Sequence, residues 1–202
     1  MQGLTLTKTF PMKKIITIIF IILTATAADA QPRTMGIRFG ATGLEASYEH
    51  RINSKRFVQC DLGLDYGYNL NGNVGAKIAA TYNFILARPA WTAAGCWEFY
   101  MGPGIAVGFT DDIVPYQTGR DIRGYYDSGL MVALAVQAGV EYLFDFPLAL
   151  AIDVRPYFGV HVNDGLLKDP LTGTRVKFGS KTGFYDNGLL GFIPSISVRY
   201  RF

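Results

Sequence analysis

The chain has 202 residues, of which half are apolar, 14% are aromatic and 17% are charged. This mixture excludes an intrinsically disordered chain, which has few aromatic residues and a high charge content. The 23 glycines argue against a helical bundle, because glycine destabilises the interior of a helix. The first 30 residues hold three lysines and one aspartate, so they contribute +2 of the net charge of +3. The remainder, at about +1, does not attract nucleic acid through bulk charge.

Residues 1–30 have the pattern of an N-terminal extension followed by a cleavable secretory signal peptide. Lys13 and Lys14 form a positive region, residues 15–23 form an apolar stretch, and Ala28-Asp29-Ala30 supplies the small residues that signal peptidase requires. The apolar stretch is too short to cross about 30 Å of hydrocarbon. We therefore expect an exported domain at 31–202, in an oxidising compartment.

The exported part alternates between apolar and polar residues over eight segments, as β-strands with two different faces do. In one of them, Leu44 and Ala46 alternate with Glu45 and Ser47. Most segments are roughly nine to fifteen residues long, whereas strands of soluble proteins average about five or six. The predicted strands are 35–40, 44–52, 58–68, 74–84, 97–109, 130–144, 148–158 and 192–202.

Three features favour a transmembrane barrel over a soluble periplasmic barrel, which is the competing fold. One face of the strands is continuously apolar and the other mixes small and charged residues, as expected for lipid outside and a polar lumen. An even number of strands puts both chain ends on one side, and closure pairs every backbone group. Aromatic residues also gather near strand ends, as in interfacial girdles. The pairs are Tyr66 and Tyr68, Tyr82 and Phe84, Trp97 and Phe99, Tyr142 and Phe144, and Tyr200 and Phe202.

The predicted fold is therefore an all-β, eight-stranded, antiparallel, up-and-down transmembrane β-barrel. With both chain ends in the periplasm, the periplasmic turns are 52–56, 85–95 and 145–147. The extracellular loops are then 41–43, 69–73, 110–128 and 161–188, and the two longest fall outside, as outer-membrane barrels require. Ten strands result if 110–128 or 161–188 contains another hairpin. Pro103, Pro156 and Pro194 predict bulges or early strand ends.

The last residues, Ser195-Ile-Ser-Val-Arg-Tyr-Arg-Phe202, resemble the C-terminal signature of bacterial outer-membrane proteins. The resemblance implies that Val198, Tyr200 and Phe202 form an assembly signal for the barrel assembly machinery. Four further segments are similar to small barrels of the Bacteroidetes type, broadly OmpX- or OmpA-like, and imply a location in the cell outer membrane. They are Met35-Gly-Ile-Arg-Phe-Gly, Leu44-Glu-Ala-Ser-Tyr-Glu-His, Phe99-Tyr-Met-Gly-Pro-Gly-Ile-Ala-Val-Gly-Phe and Pro147-Leu-Ala-Leu-Ala-Ile-Asp-Val-Arg-Pro.

The alternation directs thirteen ionisable side chains into the lumen. An eight-stranded barrel has room inside only for side chains or one small ligand. Six bases and seven acids in that space should form ion pairs, because an isolated buried charge is very unfavourable. We expect a plugged lumen, with a narrow channel or a transporter of small or apolar molecules as the alternative. The predicted lumen charge network is Arg38, Glu45, Glu49, Arg51, Asp61, Asp65, Lys77, Glu98, Glu141, Asp153, Arg155, Arg199 and Arg201.

These expectations assign the chain a structural or surface-interaction role. Its partners would be outer-membrane lipid and lipopolysaccharide, and a surface protein or glycan bound by the long loops, whose aromatic and arginine residues suit such contacts. No CxxC or HExxH spacing occurs, so no metal or cofactor is expected. A lipid-A-modifying enzyme would need a histidine with serine or acidic partners. His161, with Asp127 and Ser128, would supply them near the outer rim, whereas His50 is expected to be an interfacial side chain, and no family motif surrounds these residues. We expect a monomer without enzymatic activity and without a nucleic-acid partner.

Overall fold

The structure is a computed structural model that describes residues 32–41, 43–65, 74–118, 121–163, 166–168, 175–177, 181–186 and 188–202. The predicted signal peptide at 1–30 and the aromatic pair at 66–68 lie outside the described residues. In the part that is described, no helix has the length and hydropathy needed to cross a bilayer.

Twelve β-strands and one short 3-10 helix make up most of the described residues. The strands are β1 (Arg33–Gly40), β2 (Gly43–Asn53), β3 (Arg56–Asp65), β4 (Gly75–Ala87), β5 (Cys96–Thr118), β6 (Asp121–Leu143), β7 (Leu148–Val154), β8 (Tyr157–Asn163), β9 (Leu166–Lys168), β10 (Arg175–Lys177), β11 (Lys181–Asp186) and β12 (Ser195–Arg201), and the 3-10 helix is Gly188–Phe192.

Eight antiparallel strands form the wall of a closed barrel. Strands β1 to β6 follow one another around the wall, β7 and β8 together form the seventh wall strand, and β11 and β12 form the eighth. Strand β12 pairs with β7 on one edge and with β1 on the other, which closes the ring. The predicted eight-stranded up-and-down barrel is confirmed.

The closing seam depends on a close approach at Gly36, which faces inward. Ile37 pairs with Val198 across this seam, and Gly36 pairs with Arg199. A Cβ atom on Gly36 would overlap the carbonyl oxygen of Val198 and would lie 2.6 Å from the Cα atom of Arg199. Glycine is therefore required at this position, because any side chain would push β1 away from β12.

The outside of the barrel is apolar and the inside is polar. Side chains along each strand alternate between buried and exposed, in step with the two-residue period of a β-strand. The exposed members are large and apolar, as Ile37 (57% exposed) and Leu134 (67% exposed) illustrate. Charged residues occupy twelve of the buried positions, and small, aromatic or uncharged polar residues occupy most of the others. This arrangement is the reverse of a water-soluble domain, which keeps apolar side chains inside.

The predicted loop at 110–128 is wrong. Strands β5 and β6 continue through it as one antiparallel ladder, from the Cys96–Leu143 pair to the Thr118–Asp121 pair, and only residues 119–120 separate them. Sequence patterning missed this extension because residues 110–118 and 121–128 do not keep the apolar–polar alternation of the wall strands. Their backbones are nevertheless paired with one another.

The predicted loop at 161–188 is also wrong in part, because it contains strand structure. Strand β8 continues to Asn163, and β11 pairs with it. Strands β9 and β10 form a small hairpin that reaches β6 through a pair between Lys168 and Tyr126. This segment therefore contains an additional hairpin, but the ten-stranded alternative is wrong, because the wall of the barrel has eight strands.

Two of the three prolines interrupt strands as predicted. Pro156 lies in the break between β7 and β8, and Pro194 lies between the 3-10 helix and β12. Pro103 does not cause a bulge, because the pairs on either side of it keep step with both β4 and β6. The irregularity between β4 and β5 lies instead at Ile85–Ala87.

Candidate functional site

The interior of the barrel holds twelve of the thirteen predicted lumen residues in buried positions. They form two groups. The Glu45 cluster comprises Arg38, Glu45, Asp61, Asp65, Lys77, Asp153 and Arg155, and the Glu141 cluster comprises Glu49, Arg51, Glu98, Glu141 and Arg199.

Arg201 is the predicted network residue that does not join either cluster. It is half-buried, and its Nη2 atom donates to the carbonyl oxygens of Phe144, at 2.7 Å, and Phe146, at 3.4 Å. Arg201 ends β12, so its side chain lies beyond the last inward layer and reaches the rim of the barrel.

Three cations converge on the carboxylate of Glu45. The Nη1 atom of Arg38 lies 2.9 Å from Oε2, the Nη1 atom of Arg155 lies 3.4 Å from the same oxygen, and the Nζ atom of Lys77 lies 3.5 Å from Oε1. All four side chains are nearly inaccessible to solvent. Charges of one sign would repel each other in this small space, so the carboxylate is what allows the three cations to be buried together.

The other acids of the Glu45 cluster each bind one of those cations. Asp153 accepts hydrogen bonds from Arg38, at 2.7 Å from Nη2 and 3.1 Å from Nε. Asp65 lies 2.6 Å from the Nζ atom of Lys77, and Asp61 pairs with Arg155. The Lys77 ammonium also lies 5.2 Å from the centre of the Tyr157 ring, within the range of a cation–π contact.

The Glu141 cluster is built around two arginines. The Nη2 atom of Arg51 lies 2.7 Å from Glu98 and 2.9 Å from Glu141, and the Nε atom lies 3.1 Å from Glu49. The Nη2 atom of Arg199 lies 3.0 Å from Glu141. Charge-assisted bonds of this kind are among the stronger polar interactions in proteins.

Several of these ion pairs cross the full width of the lumen. Asp61 is on β3 and Arg155 is on the seventh wall strand, which is four strands away in a ring of eight. Arg51 on β2 and Glu141 on β6 are also four strands apart. Side chains from opposite sides of the ring therefore meet inside the barrel in both clusters.

A chain of uncharged side chains extends the Glu45 cluster from Asp61 across the inner faces of β3, β4 and β6. Thr81 donates to Gln137 at 2.5 Å, Gln137 donates to Gln59 at 3.1 Å, and Gln59 donates to Asp61 at 2.9 Å. Asn83 donates to Thr81 at 2.9 Å. The sequence analysis did not include these four residues in the site, although their parity along β3, β4 and β6 directs them inward.

Arg88 is a further residue that sequence reasoning missed. It lies in the connection between β4 and β5, where alternation gives no information about direction. Its Nε atom donates to Glu98 at 2.8 Å, and its Nη2 atom donates to the carbonyl oxygen of Ser54. It closes the turn end of the barrel, by which we mean the end that holds residues 54–55, 88–95 and 145–147.

His161 faces the interior of the barrel, two residues before the end of β8 and towards the end of the barrel opposite residues 88–95. It is fully buried, and its ring centre is 6.2 Å from that of Tyr185. The neighbouring interior is lined by small and apolar side chains, including Ala106 and Met131. Phe158 and Val160 are exposed, so the two-residue period from them already directs His161 inward. His50, by contrast, is half-buried near the end of β2, on the face that points away from the lumen.

The described residues contain no group of three or more His, Cys, Asp or Glu side chains arranged to hold a metal ion. The buried charges comprise five bases and seven acids. Arg88, which is partly exposed, adds a sixth base at the turn end. What the arrangement does is link opposite sides of the wall through ion pairs.

Comparisons with known proteins add no family assignment: no protein-family model, curated protein or solved structure matches this chain. The architecture is consistent with an OmpX-like barrel, since it is an eight-stranded antiparallel barrel. No family model or relative assigns it to the Bacteroidetes or OmpA-like type.

The convergence on Glu45 yields a stability prediction. We expect Glu45→Gln to lower the free energy of unfolding by about 3 kcal/mol, because three buried cations lose their shared counter-charge. The measurement is urea unfolding of the folded barrel in phosphatidylcholine vesicles. Asp145→Asn is the matched control, since Asp145 is exposed at the turn end and should change stability by less than about 0.5 kcal/mol. Equal stability of the two variants would contradict the role given to Glu45.

Proposed function

We propose that this chain is an outer-membrane β-barrel protein with a plugged lumen and a structural or surface-interaction role. The observation that carries the proposal is its reversed polarity. Large apolar side chains are exposed around the outside of the wall, while charged side chains are sealed inside. Hydrocarbon is the surroundings in which this distribution is favourable, and a closed barrel pairs every strand edge.

A band of aromatic rings supports a membrane position. The aromatic arc is a chain of ring contacts at the turn end that links Trp91, Trp97, Phe99, Tyr142, Phe144 and Phe146, with neighbouring ring centres 4.7–5.8 Å apart. Tyr142 also donates to the carbonyl oxygen of Ala94 at 2.7 Å. Amphipathic rings of this kind favour the boundary between hydrocarbon and water. The proposed orientation places the turn end in the periplasm.

The bonded interior favours a non-conducting barrel over the channel alternative. An ion would have to break the pairs that cross the lumen, such as Arg51–Glu141. Breaking one buried ion pair costs about 3–5 kcal/mol. This barrier supports a structural role, in contrast to transport through the lumen.

The extended β5–β6 hairpin supports the surface-interaction part of the proposal. It rises above β1 and β2, which end at the turn between Gly40 and Gly43. A paired hairpin holds its surface more rigidly than the predicted loop would, and rigid display lowers the entropy cost of binding a partner. A surface protein or glycan is the proposed class of partner, because the aromatic and arginine residues at 110–128 suit such contacts.

The location can be tested by fractionation with a gel-shift readout. We expect the protein in the outer-membrane fraction, with a change in electrophoretic mobility on boiling, because a closed barrel resists detergent until it is heated. Glu45→Gln serves as a comparison, since it should lower the temperature of the shift. A soluble periplasmic protein with no mobility change would contradict the membrane location.

Single-channel conductance measurements test whether the side chains inside the barrel block the lumen. We expect the purified protein in a planar phosphatidylcholine bilayer to give no stepwise currents. The variant Arg51→Ala with Arg199→Ala should increase current noise, because it removes both bases of the Glu141 cluster and admits water. An exposed control, Lys55→Ala, should behave as the unaltered protein. Large, regular single-channel steps from the unaltered protein would favour the channel alternative.

The hairpin can be shortened without touching the barrel. Residues 113–126 would be replaced by Asn-Gly, which joins the paired residues Asp112 and Asp127 in a tight turn. We expect the shortened protein to keep its mobility shift but to lose adhesion of intact cells to mucin- and fibronectin-coated surfaces. Cells that carry the unaltered protein are the control. Unchanged adhesion would contradict a surface role for the hairpin.

A further inference from the structure

The turn end of the barrel carries basic residues on one side and aromatic residues on the other. The aromatic arc runs from the β4–β5 connection to the β6–β7 turn. The basic arc, which we define as Arg33, Lys55, Arg56 and Arg201, runs across the ends of β12, β1 and β3 and the β2–β3 turn. These are neighbouring strands of the wall, spaced about 4.8 Å apart.

The basic arc has little negative charge to neutralise it. Arg33, Lys55 and Arg56 have no ion-pair partner among the described residues. Glu98 and Glu141 are buried nearby, but they are bound by the bases of the Glu141 cluster. Among the side chains described at this end, Asp145 is the one exposed carboxylate. It accepts a hydrogen bond from the amide of Gly95 at 2.9 Å, on the aromatic side.

The arginines of the arc are held in place but keep unused donors. The Arg56 guanidinium lies 5.7 Å from the centre of the Phe84 ring, a contact with its face that leaves the N–H groups at its edge free. Arg201 uses its Nη2 atom for backbone carbonyl groups. The Nε atom of Arg33 is buried and has no hydrogen-bond partner in the described part of the chain. A buried donor without a partner is unfavourable, so a ligand that accepts from it would be stabilising.

The level of the basic arc along the barrel axis indicates the chemical class of its ligand. Arg56 pairs with Phe84 across strands, and Arg201 lies between Tyr200 and Phe202 in the sequence. The three aromatic rings are exposed on the outer surface. Outward-facing aromatic rings at a strand end mark the level of lipid headgroups in the proposed orientation. Phosphate groups lie at that level, and guanidinium groups bind phosphate through two parallel hydrogen bonds.

We propose that the basic arc binds the headgroup phosphates of anionic phospholipid in the leaflet next to the turn end. This inference rests on the proposed membrane location. It adds a lipid preference to that location, and it makes the two sides of the rim different. One side is fixed by aromatic rings and the other by bound anionic headgroups.

Native mass spectrometry of the full exported chain tests this binding. The protein would be released from micelles that contain equal amounts of phosphatidylglycerol and phosphatidylethanolamine with the same acyl chains. We expect the protein to retain at least about five times more phosphatidylglycerol than phosphatidylethanolamine, since each basic side chain near a membrane surface favours anionic lipid. The preference should fall as salt is raised, because exposed charges are screened.

Two triple variants distinguish lipid binding by the basic arc from a general effect of the protein's positive charge. Arg33→Gln, Lys55→Gln and Arg56→Gln remove three charges from the arc and should reduce the preference to within about twofold. Lys168→Gln, Arg175→Gln and Lys177→Gln remove three charges from β9 and β10, at the other end, and should leave it intact. If the first triple variant fails to fold, Lys55→Gln with Arg56→Gln tests the same point at exposed positions.

Three results would overturn the inference. They are equal retention of the two lipids by the unaltered protein, an equal loss in both triple variants, and a stronger preference of the arc for lipopolysaccharide phosphates when lipopolysaccharide is added. The mobility shift on boiling is measured on the same samples. A protein that shifts but shows no lipid preference contradicts this inference alone, whereas a soluble protein without a shift contradicts the proposed function as well.

Discussion

Closure of the wall between β1 and β12 is the constraint on which the other features depend. Once eight strands pair around a ring, the interior is narrow and can hold side chains or one small ligand. Every second residue must enter this space, so each strand contributes small, polar or charged side chains there. Glycine at position 36 allows the seam itself to form, because a side chain would collide with the backbone of β12.

The charged interior follows from the apolar exterior. If large apolar residues are placed on the outer face, the polar residues of the same strands must go inside, where each charge needs a partner. The solution in this protein is two clusters with shared counter-ions, in which Glu45 serves three cations and Arg51 serves three carboxylates. Such sharing makes every member depend on the others. The interior should therefore respond to substitution as a unit, with non-additive effects.

The two ends of the barrel differ because different strands extend beyond the ring. At one end, β5 and β6 continue as a long ladder, while β1 and β2 stop at a tight turn. At the other end the connections are compact, and their side chains divide into an aromatic and a basic side. This asymmetry supports the proposed membrane orientation and the proposed role of the hairpin as a surface for binding.

The sequence by itself determined the eight wall strands, their inward and outward faces, and the identity of the buried charges. A two-residue period is a local property, and residues such as Glu45 and Asp153 reveal their face from their immediate neighbours. The partner of each charge was decided only by the tertiary structure, since Arg38 and Asp153 are 115 residues apart in the chain. Arg88 and the β5–β6 extension were also invisible in the sequence. A connection has no parity, and the sequence of the β5–β6 extension does not alternate, so in both places the structure depends on backbone pairing and distant contacts that the local pattern does not record.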